Sequence, residues 1–189
     1  MTPENQRRLI AVREFLKVIV MAAIIIVGVR YFLFKPFVVR GASMEPNFFE
    51  KEYLIIDEIS YRLRQPARGD IVVFRAPTAP QEYFLKRIIG LPGERVKVGN
   101  GKVFIYNKEN PQGKQLDETV YLPAETDTQG DVDLQLNDDQ YFVLGDHRSV
   151  SFDSRRFGAI HRSDLVGRAW VRGLPLNRIS RFTTLQYGL

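Results

Sequence analysis

The chain has 189 residues, enough for one domain and an accessory segment, with 44% hydrophobic and 26% charged residues. It contains no cysteine and only His147 and His161, which excludes disulfides, thiolate metal sites, a cysteine nucleophile and an HExxH zinc motif. The net charge of +5 is scattered, with no run of five basic residues, so it favours an anionic membrane surface over nucleic acid as a partner.

The first predicted element is a membrane span. Phe15 to Phe34 is interrupted only by Lys17 and Arg30, and Val18 to Val29 is unbroken apolar sequence. A helix of about 20 residues rises about 30 Å, which matches a bilayer core. Lys17 and Arg30 lie where long side chains snorkel, Tyr31, Phe32 and Phe34 suit the interface, and Pro36 ends the helix. Apolar residues on every face argue against a buried core helix. The absence of a small-x-small site after the run argues against a cleaved leader. Arg7, Arg8, Arg13 and Lys17 precede the span while Lys35, Arg40 and Lys51 follow it, so the positive-inside rule places the N-terminus in the cytoplasm. Residues 1–35 are thus expected to be a tail and single-pass anchor, and residues 36–189 an extracytoplasmic β-rich domain.

Beyond Phe37 the pattern changes to short strands rich in β-branched and aromatic residues. These are expected at 53–57, 70–74, 82–89, 95–98, 102–107, 140–144 and 165–172, each bounded by Gly, Pro or Asp. Gly99-Asn100-Gly101 predicts a hairpin, because these residues tolerate positive φ. No comparable helical period follows residue 36, so the domain reads as all-β. Residues 107–139 are expected to be a polar surface insertion.

Three segments carry candidate chemistry. On the strand 82–89, alternation puts Phe84, Lys86 and Ile88 on one face, so Lys86 is the only charge between apolar neighbours. Burial of that face lowers a lysine pKa and suits it to general-base work; the alternative is a lysine snorkelling from a half-exposed strand. Gly41-Ala42-Ser43-Met44-Glu45-Pro46 reads as a tight turn with an accessible hydroxyl, either a nucleophile lacking a base or a turn serine bonded to its own backbone. Gly145 to Gly158 concentrates hydroxyls, Asp146, Asp153 and three arginines, which suits bidentate pairs that rigidify a loop. A Ser–His–Asp triad through His147 is a further alternative.

Taken in order, the anchor, Ser-Met-Glu-Pro at 43–46, Gly-Asp-Ile-Val-Val-Phe at 69–74, Lys-Arg-Ile-Ile-Gly-Leu-Pro-Gly-Glu at 86–94 and Gly-Asp-His-Arg-x-x-Ser-x-Asp-Ser-Arg at 145–155 resemble the bacterial type I signal peptidases. Each motif is weak alone; four in order are specific. The resemblance implies a signal-peptidase β fold, shared with self-cleaving repressors, in which the substrate lies as an added strand. It implies a membrane-bound Ser–Lys endopeptidase that removes signal peptides from exported precursors, with small residues at the first and third positions before the cut. Ser43 then matches the nucleophile, with its backbone N–H as an oxyanion donor, and Lys86 the general base. Ser151 matches the serine that orients the lysine. Asp153 and Arg155 match a structural ion pair, with Asp146 beside them. Val39, Met44, Phe48, Phe84 and Leu85 match substrate-pocket positions.

Two positions depart from the family pattern. Gly41 lacks a hydroxyl that assists the oxyanion hole in some members, and His147 replaces a usual asparagine. No cofactor or metal is implied. The implied partners are signal peptides, the lipid bilayer and the nearby export translocon, at the plasma membrane or an internal photosynthetic membrane. The competing reading from another class is a membrane-anchored non-catalytic β binding module, such as a periplasmic adaptor.

Overall fold

A computed structural model describes residues 3–32, 34–185 and 187, which divide into two units, 1–35 and 36–189. The first unit is helix α1 (Pro3–Phe32). Every side chain from Val12 to Ile26 on it is exposed, including Phe15, Leu16 and the run of Ile and Val. Among the described residues no helix is long and apolar enough to cross a membrane. The far end of the expected span falls outside the description: Leu33 entirely, and the side chains of Val27 and of residues 29–34.

After the helix the strands follow as β1 (Phe34–Val38), which begins at the end of the first unit, β2 (Tyr53–Asp57), β3 (Ile71–Ala76), β4 (Ala79–Gly90), β5 (Arg95–Gly99), β6 (Lys102–Tyr106), β7 (Lys114–Gln115), β8 (Val132–Gln135), β9 (Gln140–Leu144), β10 (Ile160–His161), β11 (Leu165–Leu174) and β12 (Ser180–Arg181). One sheet has the order β1-β2-β11-β3-β4-β9-β10 with β12 beside β11, and a smaller one the order β7-β6-β5-β8. Short helices α2 (Ser60–Leu63) and α3 (Ser154–Phe157) complete the unit, with two 3₁₀ turns. The seven strands expected from the sequence are all present, with ends displaced by a few residues at most. The hairpin between β5 and β6 turns through Asn100 and Gly101, both at positive φ, and pairs Gly99 with Lys102.

Strand β3 explains why the large sheet reads as continuous apolar sequence. Ile71 and Val73 enter one core cluster with Val39, Met44, Phe48, Leu54 and Ile56, while Val72 and Phe74 enter another with Ile88, Tyr141 and Val143. Both faces are therefore covered, and each fully buried aliphatic or aromatic side chain contributes about 1.5–3 kcal/mol. A third cluster joins the small sheet, through Val96, Val98, Val103 and Ile105, to Ile89, Phe142 and Leu144.

Residues 107–139, expected to be a polar surface insertion, are mostly exposed but not uniformly so. The stretch contains β7 and β8, and Leu116, Leu122 and Leu136 within it are buried. Its apolar residues are sparse, and these three leucines are anchored while Val120 is exposed, which a composition count does not register.

Candidate active site

Strand β4 organises the site. It pairs with β3 from Ala79 to Arg87 and with β9 only from Arg87 to Gly90. Among the described residues, the second edge of Gln81–Lys86 therefore carries no strand. That edge borders a groove of about 930 Å³, whose other wall is the segment from Pro36 to Met44. Ser43 and Lys86 both line this groove.

Lys86 Nζ lies 2.8 Å from Ser43 Oγ and donates to the Leu85 carbonyl at 3.0 Å. Its side chain sits over the Phe84 ring, 5.3 Å from the centroid, and the residue is only 4% exposed. Desolvation by burial pushes its pKa down to about 8, against the opposing pull of the Asp153 and Asp146 carboxylates. The apolar flank read from alternation therefore encloses the lysine. Cation–π contact and one carbonyl do not replace the lost hydration.

The turn that presents Ser43 is tied to the loop after β9. His147 donates its backbone N–H to the Ser43 carbonyl at 3.0 Å, and its ring Nδ1 lies 3.2 Å from the Ala42 carbonyl. His147 thus brackets the nucleophile turn. It makes no contact with the Ser43 hydroxyl, whose partner is Lys86, and the triad alternative has no geometric support. Gly145 makes this close approach feasible: a Cβ there would lie 2.1 Å from Ser151 Oγ and 2.5 Å from the Ser43 carbonyl oxygen.

Two ion pairs fix the loop. Arg87 grips Asp146 with a two-pronged contact at 2.8 and 2.7 Å and also donates to the Gly69 carbonyl at 3.1 Å. The pair is buried on both sides, and Asn47 adds a further donor to Asp146 at 2.8 Å. Arg155 grips Asp153 at 2.8 Å through both prongs, and Asp153 accepts the Gly145 N–H at 3.0 Å. Asp153 also caps α3 by accepting from the Arg155 N–H at 3.3 Å. Asp146 and Asp153 are therefore each held by an arginine, and the two pairs set the loop's shape.

Other expected residues divide. Val39, Met44, Phe84 and Leu85 line the groove. Phe48 does not: it is fully buried in the core beside Phe182, at 4.7 Å between ring centroids, so its assignment to the pocket is corrected. Its ring packs in the apolar cluster with Val39, Met44, Leu54 and Ile56. Ser151 is buried next to the site, but its hydroxyl has no hydrogen-bond partner, and the expected contact with Lys86 is not made. Gly41 has φ +79° and open space around a would-be Cβ.

Sequence reasoning missed several contributors. Phe37 and Tyr83 meet edge to face at 5.7 Å, and Phe152 meets Phe84 at 6.4 Å; all four rings line the groove. Asn47, Glu118 and Tyr121 support the loop from a distance in sequence. The alternation of β4 was a usable signal for Tyr83, whereas nothing in the polar stretch 107–139 singled out Glu118.

Comparison with known proteins bears on this arrangement. A family model described as signal peptidase, peptidase S26, matches residues 12–173. A probable signal peptidase I-2 of Synechocystis sp. is 41% identical over 175 residues, covering 90% of this chain and 77% of the relative. A signal peptidase I P of Bacillus subtilis subsp. natto is 34% identical over 189 residues, covering 95% and 98%. A solved signal peptidase I from Enterococcus faecalis V583 aligns with 56% of this chain and 97% of its own, at 29% identity and a TM-score of 0.45. With the family model spanning most of its length, this chain belongs to the signal peptidase family, peptidase S26, and is a serine endopeptidase.

Proposed function

We propose that Ser43 is the nucleophile and Lys86 the general base of a membrane-anchored enzyme that removes signal peptides from exported precursors. The observation that carries this reading is the 2.8 Å approach of Lys86 Nζ to Ser43 Oγ on a desolvated strand face. Neutral Lys86 takes the hydroxyl proton as Ser43 Oγ attacks the scissile carbonyl. The resulting lysine ammonium returns a proton to the departing amine, leaving an acyl-enzyme. Lys86 then removes a proton from the hydrolytic water as its oxygen attacks the acyl carbon; the C–Oγ bond breaks, Lys86 returns the proton to Ser43 Oγ, and the acyl group leaves as a carboxylic acid. The Ser43 backbone N–H is the proposed oxyanion donor. An extended substrate pairs with the open edge of β4 along Gln81–Lys86, and Val39, Met44, Phe84 and Leu85 leave room only for small side chains before the cut.

Anchoring rests on the exposed apolar surface of α1, which has no counterpart in a water-facing helix. The basic residues before it favour a cytoplasmic N-terminus and a catalytic unit on the far side of the plasma or an internal photosynthetic membrane, near the export translocon.

The test is cleavage of a secretory precursor by purified variants. Ser43→Ala and Lys86→Ala are expected to be inactive and folded. Lys86→Arg is expected to be inactive too, because a guanidinium stays protonated. Substantial cleavage by Lys86→Arg would refute the general-base assignment. Full cleavage by Ser43→Ala would favour a binding module that copurifies with a protease.

A further inference from the structure

The stretch beyond residue 173 lies outside the family match, yet Phe182 packs against one core cluster and Tyr187 against another. Phe182 donates its N–H to the Trp170 carbonyl at 2.8 Å and packs its ring on Phe48. Thr184 donates its hydroxyl to Asp70 at 2.7 Å. Tyr187 then packs edge to face against Tyr121, at 6.2 Å between centroids, and Tyr121 lies beneath the Arg87 guanidinium at 4.0 Å.

Gly69 marks the docking point. A Cβ there would come within 2.8 Å of the Tyr187 ring and 3.0 Å of Leu185 Cβ, so the bare backbone is what admits the segment. The Gly69 carbonyl in turn accepts from Arg87 at 3.1 Å. Arg87 follows the base Lys86 in the same strand, and its partner Asp146 precedes His147, whose N–H holds the Ser43 carbonyl at 3.0 Å. A continuous set of packed groups thus joins Tyr187 to both members of the proposed dyad.

We propose that residues 182–185 and Tyr187 form a clasp, with Tyr187 as a positioning residue that holds the Arg87–Asp146 pair and through it the alignment of Ser43 with Lys86. The ring does the work by filling space beside Gly69 and Tyr121. The ring atoms make the closest approach to Gly69 and the edge-to-face contact with Tyr121, and a phenyl ring keeps both. The clasp rests on the Ser43–Lys86 reading.

The test combines precursor-cleavage kinetics with amide hydrogen exchange on the full chain. Tyr187→Ala is expected to lower kcat about ten- to a hundredfold with KM changed by less than about twofold, since a base displaced by a fraction of an ångström loses rate and leaves the groove intact. Tyr187→Phe should keep wild-type kcat. Thr184→Val, a milder release, should lower kcat less than Tyr187→Ala and supplies the test if the alanine variant does not fold. Exchange at residues 145–148 should rise in Tyr187→Ala and not in Tyr187→Phe. Unchanged kcat and exchange in Tyr187→Ala would overturn the clasp, as would a loss in Tyr187→Phe equal to that in the alanine variant. Failure of the dyad itself is distinguished by cleavage in Ser43→Ala.

Discussion

Lys86 trades stability for chemistry, and the sign of that trade is testable. The unfolded chain keeps the lysine protonated up to its ordinary value of 10.5, whereas the folded chain releases the proton near 8. Between those values the unfolded state binds more protons, so stability rises with pH across that window. Below about 8 the penalty is present in full and amounts to about 3 kcal/mol, at roughly 1.4 kcal/mol per pKa unit. Lys86→Met is therefore expected to abolish cleavage while making the protein more stable at pH 7, as read from urea unfolding, with the gain shrinking toward pH 10. A less stable Lys86→Met at pH 7 would contradict the desolvated lysine. The same titration predicts that wild-type kcat/KM climbs with pH through an apparent value near 8. Gly145 makes a second residue-scale prediction. Its would-be Cβ collides with Ser151 and with the Ser43 carbonyl, both closer than 3.0 Å, so Gly145→Ala should lose cleavage by more than about a hundredfold. Gly41 shows where sequence was insufficient at this scale. By motif a serine there is an added oxyanion donor, but φ +79° imposes a left-handed backbone that costs an L-residue about 1–2 kcal/mol, so no gain in rate is expected from Gly41→Ser.

At the scale of elements, period-two alternation was enough to find the strands and to place Lys86 on an apolar face, because both faces of the large sheet are buried and each strand must supply apolar residues. The stretch 107–139 defeated the same reasoning. Its contribution comes from polar groups that meet partners far away in sequence: Glu118 and Thr128 both accept from the Arg148 guanidinium, Tyr121 also bonds it at 3.0 Å, and the Tyr121 carbonyl accepts from Asn47 at 2.9 Å. Arg148 is buried, so its charge depends on these partners. Glu118→Ala leaves that guanidinium without its carboxylate in a desolvated setting. The expected cost is about 3–5 kcal/mol of unfolding free energy, measured by chemical denaturation. Cleavage should fall with it, since Arg148 also donates to the Gly145 carbonyl at 3.1 Å and so shapes the loop that holds Ser43. A change under about 0.5 kcal/mol, the usual range for a surface substitution, would show that the stretch is the solvated excursion its composition suggests.

Across the whole molecule, four short motifs in order revealed the family because the fold brings them to one place: the Ser43 turn, the open edge of β4 and the loop after β9 converge on one groove. What the motifs did not reveal was which side chains turn inward, as Phe48 does, or which hydroxyl is left alone, as that of Ser151 is. The division of the chain into 1–35 and 36–189 supports a final prediction. All three core clusters and both members of the dyad lie within 36–189, so this portion holds what folding and cleavage require. Helix α1 exposes Phe15, Leu16, Ile19, Ile24, Ile25 and Ile26, a surface that water penalises and a lipid bilayer accommodates. The full chain should therefore stay with membranes under alkaline carbonate extraction, whereas a truncation lacking residues 1–35 should be released. Val38 and Phe49, each 38% exposed, leave the truncated enzyme a residual reversible affinity for liposomes. The truncation should still cleave a short soluble peptide with alanines at the first and third positions before the cut, at a kcat within about tenfold of the full chain, because both members of the proposed dyad lie in 36–189. Loss of folding on truncation would show that α1 is part of the catalytic unit, and carbonate release of the full chain would remove the anchor from the proposed function.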